Sequence, residues 1–192
     1  MHKGTVRFWK NAQLVGGIGA ALLMLPAAFT GQDSAPPVSV IGYFSNMRFT
    51  EEHAYGYSVE LWGRDDTLLG LFFASEGLQG DTPTGLLEDV KFDTRTGKLS
   101  FRAKLSMGVV YSKDHNGVPS RDVFEFSGVL GENRLTGSLK RLDGLSPQAA
   151  PKIEKIILLQ SKSNEGMEPF QSLEDWKKFA DEILKFRGPK WQ

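Results

Sequence analysis

A period-two alternation of apolar and polar residues runs through most of the chain beyond residue 37. It is clearest from Leu99 to Met107, where odd positions are apolar and even positions are polar. Such a pattern is typical of a β-strand with one face in a core and the other in water. Applied along the chain, it predicts eight strands, at about 38–49, 55–63, 67–75, 86–93, 98–110, 121–130, 134–142 and 152–160.

A helical pattern follows the last strand. One face of the predicted helix is apolar and is formed by Leu173, Trp176, Ala180, Ile183 and Leu184. Ser172 is the predicted N-cap, with Asp175 three residues later, and Gly188-Pro189 ends the helix. An isolated helix of this length is marginal in water, so we expect its apolar face to pack on the β-domain.

The connections between the strands predict two unlike ends. Tight turns follow Gly63, precede Lys98 and occupy Gly131–Asn133, whereas longer loops connect the alternate strand pairs. In an antiparallel meander these longer loops lie at one end, which is where binding sites are usually built.

The predicted fold class is all-β with one C-terminal α-helix. The strands form an eight-stranded antiparallel up-and-down meander, most simply a closed barrel. The alternative is a two-sheet β-sandwich with the helix covering an open edge. The arrangement of residues 38–187 resembles the lipocalin-type barrels, which also carry a helix after the last strand. Gly42-Tyr43-Phe44 stands where that family has Gly-x-Trp, with Phe44 in the place of the tryptophan.

The first 30 residues have the layout of a secretory signal peptide. Lys3, Arg7 and Lys10 precede an apolar stretch from Leu14 to Phe29. The alternative is an uncleaved N-terminal anchor, because residues 11–32 carry no charge and about 20 residues suffice to cross a bilayer. Both interpretations place the rest of the protein outside the cytoplasm, in the periplasm or the extracellular space. The predicted organisation is therefore signal or anchor (1–30), linker (31–37), barrel (38–161) and C-terminal helical segment (162–192).

Composition narrows the function classes. The chain has 192 residues, with 23 Lys+Arg balanced by 23 Asp+Glu, and no cysteine. The balanced charge disfavours a nucleic-acid partner, and the missing cysteines exclude disulfides, thiol catalysis and Cys-based zinc sites. His53 and His115 each lie in a polar turn pattern that is explained without a metal. We predict no catalytic residue, no metal site and no cofactor.

The candidate ligand-binding residues are aromatic and acidic side chains near the long-loop end: Tyr43, Tyr55, Tyr57, Phe72, Glu76 and Asp81. Inward-pointing tyrosines would give an apolar wall with polar tips, which suits an amphipathic molecule. Glu76 and Asp81 belong to a glycine-rich segment, residues 76–85, that could face the ligand. The alternatives are that the aromatic rings simply fill the barrel and that the segment is a structural loop. Trp62 falls on the opposite face from Tyr57, under the helix or on the surface.

Three functions remain open from the sequence. The first is an exported, non-catalytic barrel that binds a small apolar or amphipathic molecule. The second is a cell-envelope protein–protein interaction module with a filled barrel, and the third is an enzyme of unknown chemistry. A membrane is a partner only if the N-terminal segment is uncleaved. A ligand binder should have a cavity, whereas an interaction module should have a packed interior and an exposed apolar patch.

Overall fold

The computed structural model describes residues 36–78, 82–105, 109–111, 116–119, 121–162 and 166–186. The predicted signal or anchor segment therefore lies outside the described residues. The described elements are β1 (Ser39–Ser45), β2 (Arg48–Phe49), β3 (His53–Arg64), β4 (Thr67–Leu78), β5 (Thr84–Asp93), β6 (Lys98–Lys104), β7 (Val109–Tyr111), β8 (Asn116–Pro119), β9 (Val123–Leu130), β10 (Arg134–Leu142), β11 (Lys152–Gln160) and α1 (Leu173–Phe186).

Eight of these strands form a closed antiparallel barrel. Their order around the barrel is β1-β3-β4-β5-β6-β9-β10-β11, and β1 closes it by pairing with both β3 and β11. The predicted fold class is confirmed, and the two-sheet alternative does not match this closed order. Because neighbours in sequence are neighbours in space, the short apolar/polar alternation was a reliable guide to the whole topology.

Two predicted strands are divided in the structure. The first ends at Ser45, because the side-chain Oδ1 of Asn46 accepts the Tyr57 N–H at 2.8 Å and turns the chain before β2. The fifth ends at Lys104, and the predicted long loop beyond it contains a separate hairpin of β7 and β8. The strand count of the barrel is unchanged by both differences.

The barrel interior is filled by the inward positions of the alternating strands. Phe44, Val59, Phe72, Phe101, Phe124, Phe126, Leu135, Leu139 and Leu158 are among its buried side chains. The ring of Phe126 lies against two inward glycines, since a Cβ atom at Gly128 or Gly137 would come within 2.6 or 2.7 Å of it. Larger residues at these glycines would therefore displace the ring.

Helix α1 covers an outer face of the barrel. The Ser172 hydroxyl accepts the Asp175 N–H at 3.1 Å and donates to the Asp175 carboxylate at 2.7 Å, which confirms the predicted N-cap. Trp176 and Ala180 then pack in a second apolar cluster with Trp62. The placement of Trp62 under the helix, which its strand parity predicted, is confirmed by its 6.2 Å ring contact with Trp176.

Among the described residues, no helix combines the length and the apolar character needed to cross a bilayer.

Candidate functional site

A layer of aromatic rings crosses the upper part of the barrel interior. The ring centroid of Tyr57 lies 5.8 Å from those of both Phe72 and Phe124, and the latter two are 4.9 Å apart. Tyr57 is on β3 and Phe124 is on β9, four strands away in a barrel of eight. These rings therefore meet across the full diameter and occupy the interior at this level.

A network of charged side chains lies directly above this aromatic layer. The guanidinium of Arg141 on β10 contacts the Glu76 carboxylate on β4 and the Asp122 carboxylate, each at 2.6 Å. It also lies 5.8 Å from the centre of the Phe124 ring. Because β4 and β10 are also four strands apart, the ion pair of Arg141 and Glu76 bridges the mouth of the barrel.

The phenol of Tyr57 joins the same network from below. Its hydroxyl donates a hydrogen bond to the Glu154 carboxylate of β11 at 2.5 Å. The four charged residues of the mouth, which are Glu76, Asp122, Arg141 and Glu154, carry a net charge of −2 when ionised. A charge of this sign disfavours an anionic ligand at the mouth.

Burial governs the protonation of this network. It raises the pKa of Asp122 above its ordinary value, although the charge of Arg141 acts in the opposite direction. Burial alone would lower the pKa of Arg141, but the hydrogen bond to Glu76 and the charge of Asp122 raise it overall. Burial and the hydrogen bond to Glu154 raise the pKa of Tyr57. Tyr57 is therefore a neutral hydrogen-bond donor, and Arg141 is permanently cationic.

The structure brings four of the six predicted site residues together. Tyr55, Tyr57, Phe72 and Glu76 share the inward faces of β3 and β4, with Tyr55 directly opposite Glu76. Tyr55 is 47% exposed and stacks on His53 at the rim. Tyr43 lies opposite Glu60 on the outer face, away from the mouth. Asp81 lies outside the described residues.

The sequence analysis missed the other half of the mouth network. Strand parity contained the signal, because Arg141 follows the buried Leu139 at a spacing of two and Asp122 precedes Phe124 at the same spacing. Glu154 likewise shares a face with Ile156. The missing information was the register that joins strands distant in the sequence.

The closing strand β11 has an incomplete partner on one side. It pairs with β10 from Lys152 to Leu159, but its register with β1 contains only Leu159 and Gln160. A further backbone hydrogen bond joins the Ser161 N–H to the Tyr43 carbonyl at 2.8 Å. No described strand pairs with the β1-facing edge of residues 152–158.

The hydrogen bonds at the end of β11 show which residues face the open edge. The N–H of Gln160 bonds to Asn133, on the β10 side, whereas the N–H of Ser161 bonds to β1. Successive backbone groups alternate in direction along a strand. The N–H and C=O groups of Ile153, Lys155 and Ile157 therefore point toward the open edge.

The side chains of β11 that face outward form an apolar strip. Ile153, Ile157 and Leu159 are 69%, 54% and 60% exposed, with Lys155 between the two isoleucines. Val129 on β9 adds to the strip through Thr136, which lies opposite Ile157 in the register. Exposed aliphatic side chains of this size beside an unpaired edge are the usual features of a strand-acceptor surface.

The described part of the chain contains no group of three or more acidic or histidine side chains arranged to hold a metal ion. Comparison with protein-family models, with curated proteins and with solved structures gives no match for this chain. The functional argument therefore rests on the geometry of the barrel itself.

Proposed function

We propose that the protein is an exported, non-catalytic interaction module that binds an extended segment of a partner protein along β11. The observation that carries this proposal is the open edge of β11, where Ile153, Lys155 and Ile157 offer both backbone groups and outward side chains. A partner strand added there would continue the barrel sheet by main-chain hydrogen bonds. Export is supported by the basic and apolar pattern of the first 30 residues.

The chemistry of β11 specifies the segment it would accept. Residues opposite each other on neighbouring strands share a face, so the partner's side chains would meet Ile153, Lys155 and Ile157 in turn. Two apolar residues flanking an acidic residue complement this series. A second copy of the chain fits less well, because the antiparallel pairing that matches Ile153 with Ile157 would place Lys155 opposite Lys155.

Small-molecule binding at the barrel mouth is the second candidate function. The lipocalin-like architecture and the convergence of Tyr55, Tyr57 and Glu76 favour it. The aromatic layer and the bridge between Arg141 and Glu76 leave a ligand the rim above them. This arrangement supports the interaction module more directly than it supports ligand uptake into the barrel.

The test uses a fluorescent nine-residue peptide that alternates valine with threonine and has one glutamate between two valines. We expect the wild-type chain to bind it and Lys155→Pro to weaken binding by about tenfold or more. The proline removes an N–H from the open edge and leaves the β10 ladder intact, a position where proline is tolerated. Fluorescence anisotropy measures the affinity, and circular dichroism checks the fold of the variant.

A charge exchange provides the matched control. Lys155→Glu should weaken binding of the glutamate peptide and strengthen binding of its lysine analogue, whereas Arg95→Glu, in an exposed turn, should change neither affinity. If Lys155→Glu binds both peptides like wild type, or if the wild-type chain binds neither peptide, strand addition at β11 is wrong. Saturation by a soluble amphipathic molecule with loss of binding in Tyr55→Ala would instead favour the mouth.

A further inference from the structure

A second concave surface lies between the helix and the barrel, on a different side from the open edge of β11. It has a volume of about 370 Å³ and is half open to solvent. Its lining comes from β3, β4, the segment before the helix and α1 and consists of Glu60, Trp62, Phe73, Gly166, Met167, Glu168, Phe170, Phe179 and Ile183. We call this surface the helix groove. Its volume is in the range of small-molecule sites.

Aromatic rings form one wall of the helix groove. The ring centroid of Trp62 lies 6.0 Å from that of Phe170 and 5.8 Å from that of Phe179. Phe170 and Phe179 are 5.1 Å apart. Their mutual contacts fix the orientation of the wall, so little side-chain ordering is needed when a ligand binds.

The segment before the helix is also fixed. Val38 and Phe170 exchange two backbone hydrogen bonds of 2.9 Å each, and the indole N–H of Trp62 donates to the Glu168 carbonyl at 3.0 Å. These bonds hold Glu168 beside the aromatic wall. The helix groove is therefore a preformed feature of the fold.

The charge of the lining is one-sided. Glu60 and Glu168 are acidic, and none of the nine lining residues is Lys, Arg or His. The faces of aromatic rings carry partial negative charge and attract organic cations. Carboxylates and aromatic faces around one apolar cavity thus favour the same class of ligand and disfavour anions.

We infer that the helix groove binds a small organic cation with an apolar body, of the alkylammonium class. The ammonium group lies near Glu60 and Glu168, and the alkyl part packs among Phe73, Met167 and Ile183. This site is separate from the β11 edge, so it stands or falls independently of the proposed strand addition.

The test compares three probes with the same alkyl chain: hexyltrimethylammonium, hexanol and hexanoate. We expect the cation to bind most tightly and to shift the indole N–H resonance of Trp62 in two-dimensional NMR spectra. Neutralising both carboxylates, in Glu60→Gln with Glu168→Gln, should weaken the cation about tenfold and leave hexanol unchanged. Glu132→Gln, in the exposed turn before β10, is the control and should alter nothing.

Equal affinity for the cation and for hexanoate, or an unchanged cation affinity in the double variant, would overturn the inference. Vesicles of phosphatidylcholine carry the same trimethylammonium group on a lipid. Their retention by the wild-type chain and not by the double variant would assign the cation to a lipid headgroup. Lack of retention together with binding of hexyltrimethylammonium would assign it to a free molecule.

Discussion

Two outer faces of the barrel carry large apolar side chains, and only one of them is covered. On β3 and β4, Trp62 and Leu71 lie beneath α1 and are 1% and 0% exposed. On β11, Ile157 and Leu159 point outward as well, but they are 54% and 60% exposed. Both faces break the rule that the outer positions of a small barrel are polar. The chain's own helix explains the first face, and a partner strand explains the second.

The largest expected effect separates the two faces by stability. Trp62→Ala should lower the free energy of unfolding by about 3–5 kcal/mol, because it removes a buried ring from the helix contact. Ile157→Ala should change it by about 0.5 kcal/mol or less, since that side chain is mostly exposed. Urea denaturation measures both. Similar losses in the two variants would contradict the distinction between a covered face and a bare one.

The bare face depends on a wall that is held from inside by Arg141. Arg141→Met should cost about 3 kcal/mol at neutral pH, because it leaves the buried Asp122 carboxylate without its partner. Arg141→Met combined with Asp122→Asn should recover much of this loss. Chemical denaturation of both variants checks the expectation, and no recovery in the double variant would place the role of Arg141 elsewhere.

The same pair predicts a pH dependence with a definite sign. Burial raises the pKa of Asp122, so between the ordinary carboxyl value and the raised value the folded state binds a proton that the unfolded state has lost. The contribution of Asp122 to stability therefore falls as pH rises through that window. Removing Arg141 extends the window upward. The penalty of Arg141→Met should shrink at acidic pH, and a penalty independent of pH would contradict this assignment.

The cover over the first face depends on the start of the helix. Ser172→Ala should lower the free energy of unfolding by about 1 kcal/mol, because Asp175 loses the acceptor for its backbone N–H. Ser127→Ala, on the outer side of β9, is the matched control and should cost about 0.5 kcal/mol or less. Thermal denaturation followed by circular dichroism compares them. Equal costs would show that the cap does not stabilise the helix contact.

The smallest effect on stability is expected on the bare face itself. Ile153→Thr with Ile157→Thr keeps β-branched residues in the strand and should change stability by about 0.5 kcal/mol or less. The variant should bind less of the hydrophobic dye bis-ANS than wild type does. Unchanged dye binding would mean that β11 is not the main exposed apolar surface.

Much of the fold was predictable because alternation is a local signal. The odd positions from Leu99 to Leu105 are buried as expected, and so are Phe124 and Phe126. The break after Ser45 was not predictable, since it depends on a hydrogen bond between the Asn46 side chain and the backbone of Tyr57. A contact of this kind has no period in the sequence.

The candidate sites were predictable only in part. Adjacent strands placed Tyr57, Phe72 and Glu76 on one face, and parity extends the same logic to Arg141. The meeting of Glu76 with Arg141 depends on the diameter and register of the closed barrel, which no single strand encodes. The open edge of β11 was hidden for a related reason, because it results from how far the ends of β1 and β11 overlap.

Amide hydrogen exchange of the free protein tests the central claim most directly. If the edge of β11 is open, the N–H groups of Ile153, Lys155 and Ile157 should exchange quickly, while those of Glu154, Ile156 and Leu158 are protected by β10. Adding the valine–threonine peptide should then slow the first three and leave the others unchanged. Equal protection of all six amides in the free protein would contradict the account, because it would show that the edge already has a partner.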